Sequence, residues 1–226
     1  NIVFADADID VAAQHAAMMS VGLLSGQGCE LPTRLLVQDS VYDEMVEKVV
    51  AIAKSLPIGD PRDPNTFIGP IINEESCDRI LAMVERAKQA GAGRLVLGGE
   101  RLGGDLAKGF FVSPTIFADV DPQSEIAQQE VFGPVLVIQK FSTEEEVIEI
   151  ANSTQYGLGG YIQTNDLKRA HRVAAAMTTG SVHINGSRNI PAHAPFGGLG
   201  LSGFGKEGGR PGLDEFIRLK TVSLAQ

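Results

Sequence analysis

The chain has 226 residues, 43% of them hydrophobic, enough to bury a sizeable core in one or two domains. Its 28 acidic residues against 19 basic ones leave a net charge of -9, which argues against nucleic acid or an anionic membrane as partner. Two cysteines and four scattered histidines make neither a disulfide framework nor a metal-ligand cluster, and favour a reducing, cytoplasmic setting. The apolar run at residues 16–24 is too short to span a bilayer, and the acidic opening at 5–10 is unlike a signal peptide. A start at Asn1 rather than Met is what a piece of a longer polypeptide would show.

Small and apolar side chains on most faces of residues 10–24 predict a buried helix, with Asp8 or Asp10 near its positive end. A glycine-flanked connection, Ser25-Gly26-Gln27-Gly28-Cys29-Glu30, leads to a short apolar strand at 34–38. Asp39 or Ser40 is placed to cap a helix over 42–56, whose Met45, Val46, Val49 and Val50 follow helical spacing. Four prolines and two glycines make residues 57–70 a surface loop. Asn73 then opens a helix through Ala90 that Gly91 ends. A strand is expected at 95–97, a glycine-rich turn at 98–109, and an extended stretch at 110–117 with Pro114 at an edge or bend. Strand 135–141 precedes a helix over 144–152 with a capping box from Thr143 to Glu146. Strand 159–163, helix 166–177 and strand 181–185 follow, then a glycine-rich stretch at 196–209, a short helix at 213–216 and a closing strand at 219–224. Strands separated by helices imply right-handed crossovers, hence an α/β fold with a mostly parallel twisted sheet flanked by helices.

Chemistry points first to Cys29. A thiol on a glycine-flanked connection between helix and strand is open to a cleft, whereas structural cysteines occupy apolar faces. Cys77 has the opposite profile, within a helix among Glu74, Glu75 and Asp78, where a negative field disfavours the thiolate; it reads as structural. Glu130-Val131-Phe132-Gly133-Pro134 sets a carboxylate, an aromatic ring and a turn before a strand, which suits either ribose binding at a strand end or a solvated glutamate. The stretch from Pro195-Phe196-Gly197-Gly198 to Gly205 lacks the strand and βαβ unit of a dinucleotide loop, and reads as a close-packed bend with Phe196 as an aromatic wall.

In this order, Gly26-Gln27-Gly28-Cys29, Glu130-Val131-Phe132-Gly133-Pro134, and Asn185 with Pro195-Phe196-Gly197-Gly198 resemble the carboxyl-terminal half of the NAD(P)-dependent aldehyde dehydrogenase superfamily over nearly the whole chain. The resemblance implies an aldehyde dehydrogenase-like catalytic domain over 1–215 and an oligomerisation strand within 216–226 that makes the protein a homo-oligomer. It implies that the amino-terminal NAD(P)-binding domain, with the general-base glutamate, lies upstream of Asn1. By the same resemblance Cys29 is the nucleophile that attacks an aldehyde. Glu130 binds the nicotinamide ribose of NAD or NADP, Phe132 packs beside the nicotinamide, and Gly28, Glu30, Arg188, Ile190 and Phe196 line the aldehyde tunnel. Glu30 stands where many relatives carry a small neutral residue, and with Arg188 near the same tunnel the two could pair or could favour a polar substrate. The expected reaction is oxidation of an aldehyde to a carboxylic acid through a thiohemiacetal and thioester, the isolated chain being inactive in hydride transfer. Release of the acyl group to coenzyme A is one alternative, and a non-catalytic interaction fragment is another.

Overall fold

Alternation of apolar strands with amphipathic helices produces a seven-stranded sheet in the computed structural model, which describes residues 1–186 and 190–225. The strands in chain order are β1 (Ile2–Val3), β2 (Arg34–Gln38), β3 (Arg94–Leu97), β4 (Thr115–Ala118), β5 (Val135–Phe141), β6 (Tyr156–Gly157), β7 (Gly159–Gln163), β8 (Ser181–Ile184) and β9 (Leu199–Gly200). The main sheet runs β3-β4-β5-β2-β1-β7-β8 and is parallel except for β3, which pairs antiparallel with β4. A separate ribbon joins β6 to β9. The helices are α1 (Ile9–Ala17), α2 (Tyr42–Ser55), α3 (Glu74–Gln89), α4 (Glu125–Gln128), α5 (Glu144–Ala151), α6 (Leu167–Ala176) and α7 (Gly209–Asp214).

The central strands are apolar on both faces, as helices on both sides of a parallel sheet require. On β5, Leu136 and Ile138 point to one layer with α1 and α2, while Val135 and Val137 point to the opposite layer with α3. On β2, Leu35 and Val37 join the first layer, and Leu36 turns to a third cluster with Ile162, Val147 and Val173. Small residues on α1, Ala12, Ala13 and Ala16, let that helix lie close on the sheet beside Met45 and Val49 of α2.

Helix starts are set by local polar chemistry. Asp8 accepts from the Val11 N–H at 3.1 Å, Asn73 from Ser76 at 2.8 Å, and Asp166 from Lys168 and Arg169 at 2.9 and 3.1 Å. The Thr143 hydroxyl accepts from the Glu146 N–H, and the Glu146 carboxylate accepts in return from Ser142, one residue earlier than a standard capping box.

Four expectations need correction. The helix foreseen at 10–24 ends at Ala17; a π-helical turn at Met18–Gly22 and a 3₁₀ turn at Leu23–Gly26 follow. There the Ser20 hydroxyl donates back to the Ala16 carbonyl at 2.5 Å, and Gly22 sits against the Phe67 ring with no room for a side chain. Neither Asp39 nor Ser40 caps α2, because a 3₁₀ turn at Asp39–Val41 leads into it and Asp39 accepts from Ser40 instead. The last helix begins earlier than foreseen, with Pro211 in its first turn, where a missing N–H costs nothing. No strand forms at 219–224; Leu219, Val222 and Leu224 are exposed there. A strand needs a neighbour to receive its N–H and C=O groups, and alternating apolar residues alone do not supply one.

Candidate active site

The backbone before Cys29 is held in an unusual conformation. Leu24, Ser25 and Gly26 take φ values of 51, 54 and 71° in succession, a left-handed turn that costs a non-glycine residue about 1–2 kcal/mol. Surrounding bonds hold it there. The Ser25 hydroxyl donates to the Gly69 carbonyl at 2.8 Å. The Gln27 amide donates to Leu24 and Pro70 carbonyls at 3.1 and 3.3 Å, and its oxygen accepts from the Ile72 N–H at 2.9 Å. Strain that is over-determined in this way accumulates at functional sites.

Gly26 also explains why two distant motifs meet. A Cβ at Gly26 would stand 1.9 Å from the Gly133 carbonyl oxygen, so the turn before Cys29 lies directly on the Glu130–Pro134 loop. That loop has its own constraint at Phe132, whose φ is 51°. Arg79 of α3 donates to the Val131 carbonyl at 2.8 Å, and Gly133 presses on Ile80 of the same helix. Phe132 is left 40% exposed, and Glu130, two residues before it, is exposed too.

Cys29 is exposed, and a cavity of about 190 Å³ opens beneath it. Gly28, Cys29 and Glu30 line this space together with Glu130 and Phe132. Arg34 also faces it, its guanidinium lowered to about 10 by burial. Of the other expected site residues, Ile190 is half-buried and Phe196 is bridged to Glu207; neither is among the described residues lining the cavity. Arg188 lies outside the described residues. Cys77 is fully buried, and burial first of all pushes its thiol up, with Asp78 and Glu74 contributing in the same direction and Arg101 opposing.

Glu30 turns inward. Its carboxylate accepts from the Ser181 hydroxyl and faces His183 Nε2 at 3.2 Å, while its carbonyl oxygen accepts from the Tyr161 hydroxyl at 2.9 Å. Sequence reasoning did not single out these partners, nor Arg79. The signal available was the spacing of Ser181 and His183, two residues apart on one strand and so on one face. Among the described residues no group of three or more His, Cys, Asp or Glu is arranged to hold a metal ion.

The aldehyde dehydrogenase family model matches residues 1–222. The chain belongs to the aldehyde dehydrogenase family. It is 44% identical over 223 residues to aldehyde dehydrogenase 1A1 of Mus musculus, covering 99% of this chain and 44% of that protein. It is 41% identical over 221 residues to a betaine aldehyde dehydrogenase of Cereibacter sphaeroides, covering 98% of this chain and 45% of that one. Among solved structures, HpcC from Thermus thermophilus superposes with a TM-score of 0.94 at 41% identity, over 99% of this chain and 44% of its own. The betaine aldehyde dehydrogenase of Staphylococcus aureus, solved with NAD+, gives 0.92 at 37% identity, over 96% and 43%. This aldehyde dehydrogenase chain thus spans less than half the length of these relatives. Among its described residues, no helix is long and apolar enough to cross a membrane.

Proposed function

We propose that residues 1–215 are the thiol-bearing catalytic domain of an NAD(P)-dependent aldehyde dehydrogenase that oxidises an aldehyde to a carboxylic acid with Cys29 as nucleophile. The observation that carries this reading is the exposed Cys29, three residues after a left-handed turn seated against the Glu130–Pro134 loop, within a family match spanning 1–222. Residues 216–226 would associate with a second subunit, the exposed Leu219, Val222 and Leu224 being covered there. The setting would be cytoplasmic.

The chemistry follows from the thiol and its backbone. The Cys29 thiolate adds to the aldehyde carbon, forming a C–S bond and placing negative charge on the former carbonyl oxygen. The Cys29 N–H is the donor this chain offers to that oxyanion, a contribution of about 3 kcal/mol for one such bond. NAD(P)+, when bound, supplies the acceptor for the hydride that leaves the same carbon. The product is a thioester on Cys29. Water then adds to its carbonyl carbon, the C–S bond breaks with its electron pair going to sulfur, and the carboxylic acid departs while the second hydrogen of the water is released as a proton, restoring the thiolate.

The exposed residues at the cleft fit the cofactor's chemistry. Glu130 presents a solvent-facing carboxylate suited to the hydroxyls of a ribose, and Phe132 presents an uncovered ring suited to a flat heteroaromatic group. Both project from a loop that Arg79 and Ile80 brace from behind, so the contacts are preorganised. The decisive test is aldehyde-dependent NAD(P)H formation by the polypeptide that carries this chain. Cys29→Ala should abolish it; turnover retained in that variant would refute the assignment.

A further inference from the structure

Glu30 is anchored at both its side chain and its main chain, and the chemistry above makes no use of this. Its side chain is 2% exposed and that of His183 is 10% exposed. Ser181 and His183 stand two residues apart on β8 and present their polar atoms to the same carboxylate oxygen. Gly159 of β7 clears the space: a Cβ there would lie 2.3 Å from Glu30 Cγ and 2.5 Å from Oε1. Tyr161, two residues further along β7, donates its hydroxyl to the Glu30 carbonyl at 2.9 Å and lays its ring 5.0 Å from that of His183.

A buried carboxylate is costly unless its hydrogen bonds are made, so this arrangement is stable only in a narrow geometry. Glu30 shares its peptide bond with Cys29, and the left-handed turn fixes the other side of the same short loop. We propose that Glu30, held by Ser181 and His183 of β8 and Tyr161 of β7, is a positioning residue that sets the direction of the Cys29 thiol and its N–H toward the cleft. The proposal rests on the reading of Cys29 as the nucleophile.

Two rates measured at Cys29 on the purified chain separate direction from exposure. Alkylation by iodoacetamide reads access and thiolate content. Burst acylation by p-nitrophenyl acetate also requires an oxyanion donor in the correct direction. Glu30→Ala should lower the acylation rate by about tenfold more than the alkylation rate, a loss in keeping with a misplacement below 1 Å. Glu30→Gln retains an acceptor for Ser181 and His183 and should recover most of that loss. Ser181→Ala, which deletes one hydroxyl, should lower the same ratio and serves where Glu30→Ala cannot be purified folded. An unchanged ratio in the purified variants, with wild-type acylation intact, overturns the positioning role alone. Wild-type acylation no greater than that of Cys29→Ala overturns both this proposal and the catalytic reading beneath it.

Discussion

Replacing Gly26 by alanine tests whether the two motifs are mechanically joined. Two costs act together. The left-handed φ of 71° costs an alanine about 1–2 kcal/mol. The new methyl would also lie 1.9 Å from the Gly133 oxygen, where a carbon–oxygen contact needs about 3.3 Å. The loops must therefore part by more than an ångström, and such overpacking costs about 1–3 kcal/mol further. In a chain of this size a total of about 2–5 kcal/mol lowers the melting temperature by about 4–20 °C. Gly91→Ala is the matched control, since its φ is 62° but nothing lies within 4 Å of the new carbon. It should lose only the conformational part, about 2–4 °C for each kcal/mol. Melting followed by circular dichroism, with the acylation rate of Cys29 measured alongside, compares the two. Equal melting temperatures, with Cys29 acylated at the wild-type rate in Gly26→Ala, would refute the claim that the Cys29 turn is seated on the Glu130 loop.

Cys29 should react with a disulfide reagent at least about a hundredfold faster than Cys77, which becomes available only when α3 opens; two thiols titrating together in native buffer would contradict the burial. His15 is lowered to about 4, by burial first of all, so the folded state favours the neutral ring. Unfolding takes up a proton between pH 6.5 and 4, and stability should fall as pH drops through that window, by about 2 kcal/mol after allowance for partial exposure. His15→Leu should flatten the slope in urea titrations at pH 4, 5, 6 and 7; an unaltered slope would exclude His15 as its source. Asn73→Ala removes the acceptor for the Ser76 N–H and should cost about 1 kcal/mol in urea denaturation; a change below about 0.2 kcal/mol would show the cap to be inert.

Much of the fold was legible because the strands are short apolar runs and the helices carry clear caps. Asn73, Thr143 and Asp166 mark their helices in the sequence and cap them in the structure. The break after Ala17 was not legible, since residues 18–24 are as apolar as the helix before them; contacts with Phe67 and a serine back-bond end it. The tail at 219–224 shows the complementary limit, because pairing is a property of a partner strand rather than of the run itself. At the site, Cys29 and the Glu130 loop were legible as motifs. Their contact was not, for it depends on a glycine whose missing side chain leaves space only in three dimensions. The same holds for Glu30, which lies along the cavity and is also bonded to Ser181, a residue 151 positions away that nothing in the sequence ties to it.

The central claim is that Cys29 forms the covalent bond with the carbonyl carbon. Peptide mapping by mass spectrometry after brief exposure of the chain to p-nitrophenyl acetate tests it most directly. The account predicts one acetyl group per chain, on the peptide holding Cys29 and lost on treatment with hydroxylamine. Acetylation confined to lysines or to Cys77, with Cys29 unmodified, would contradict it.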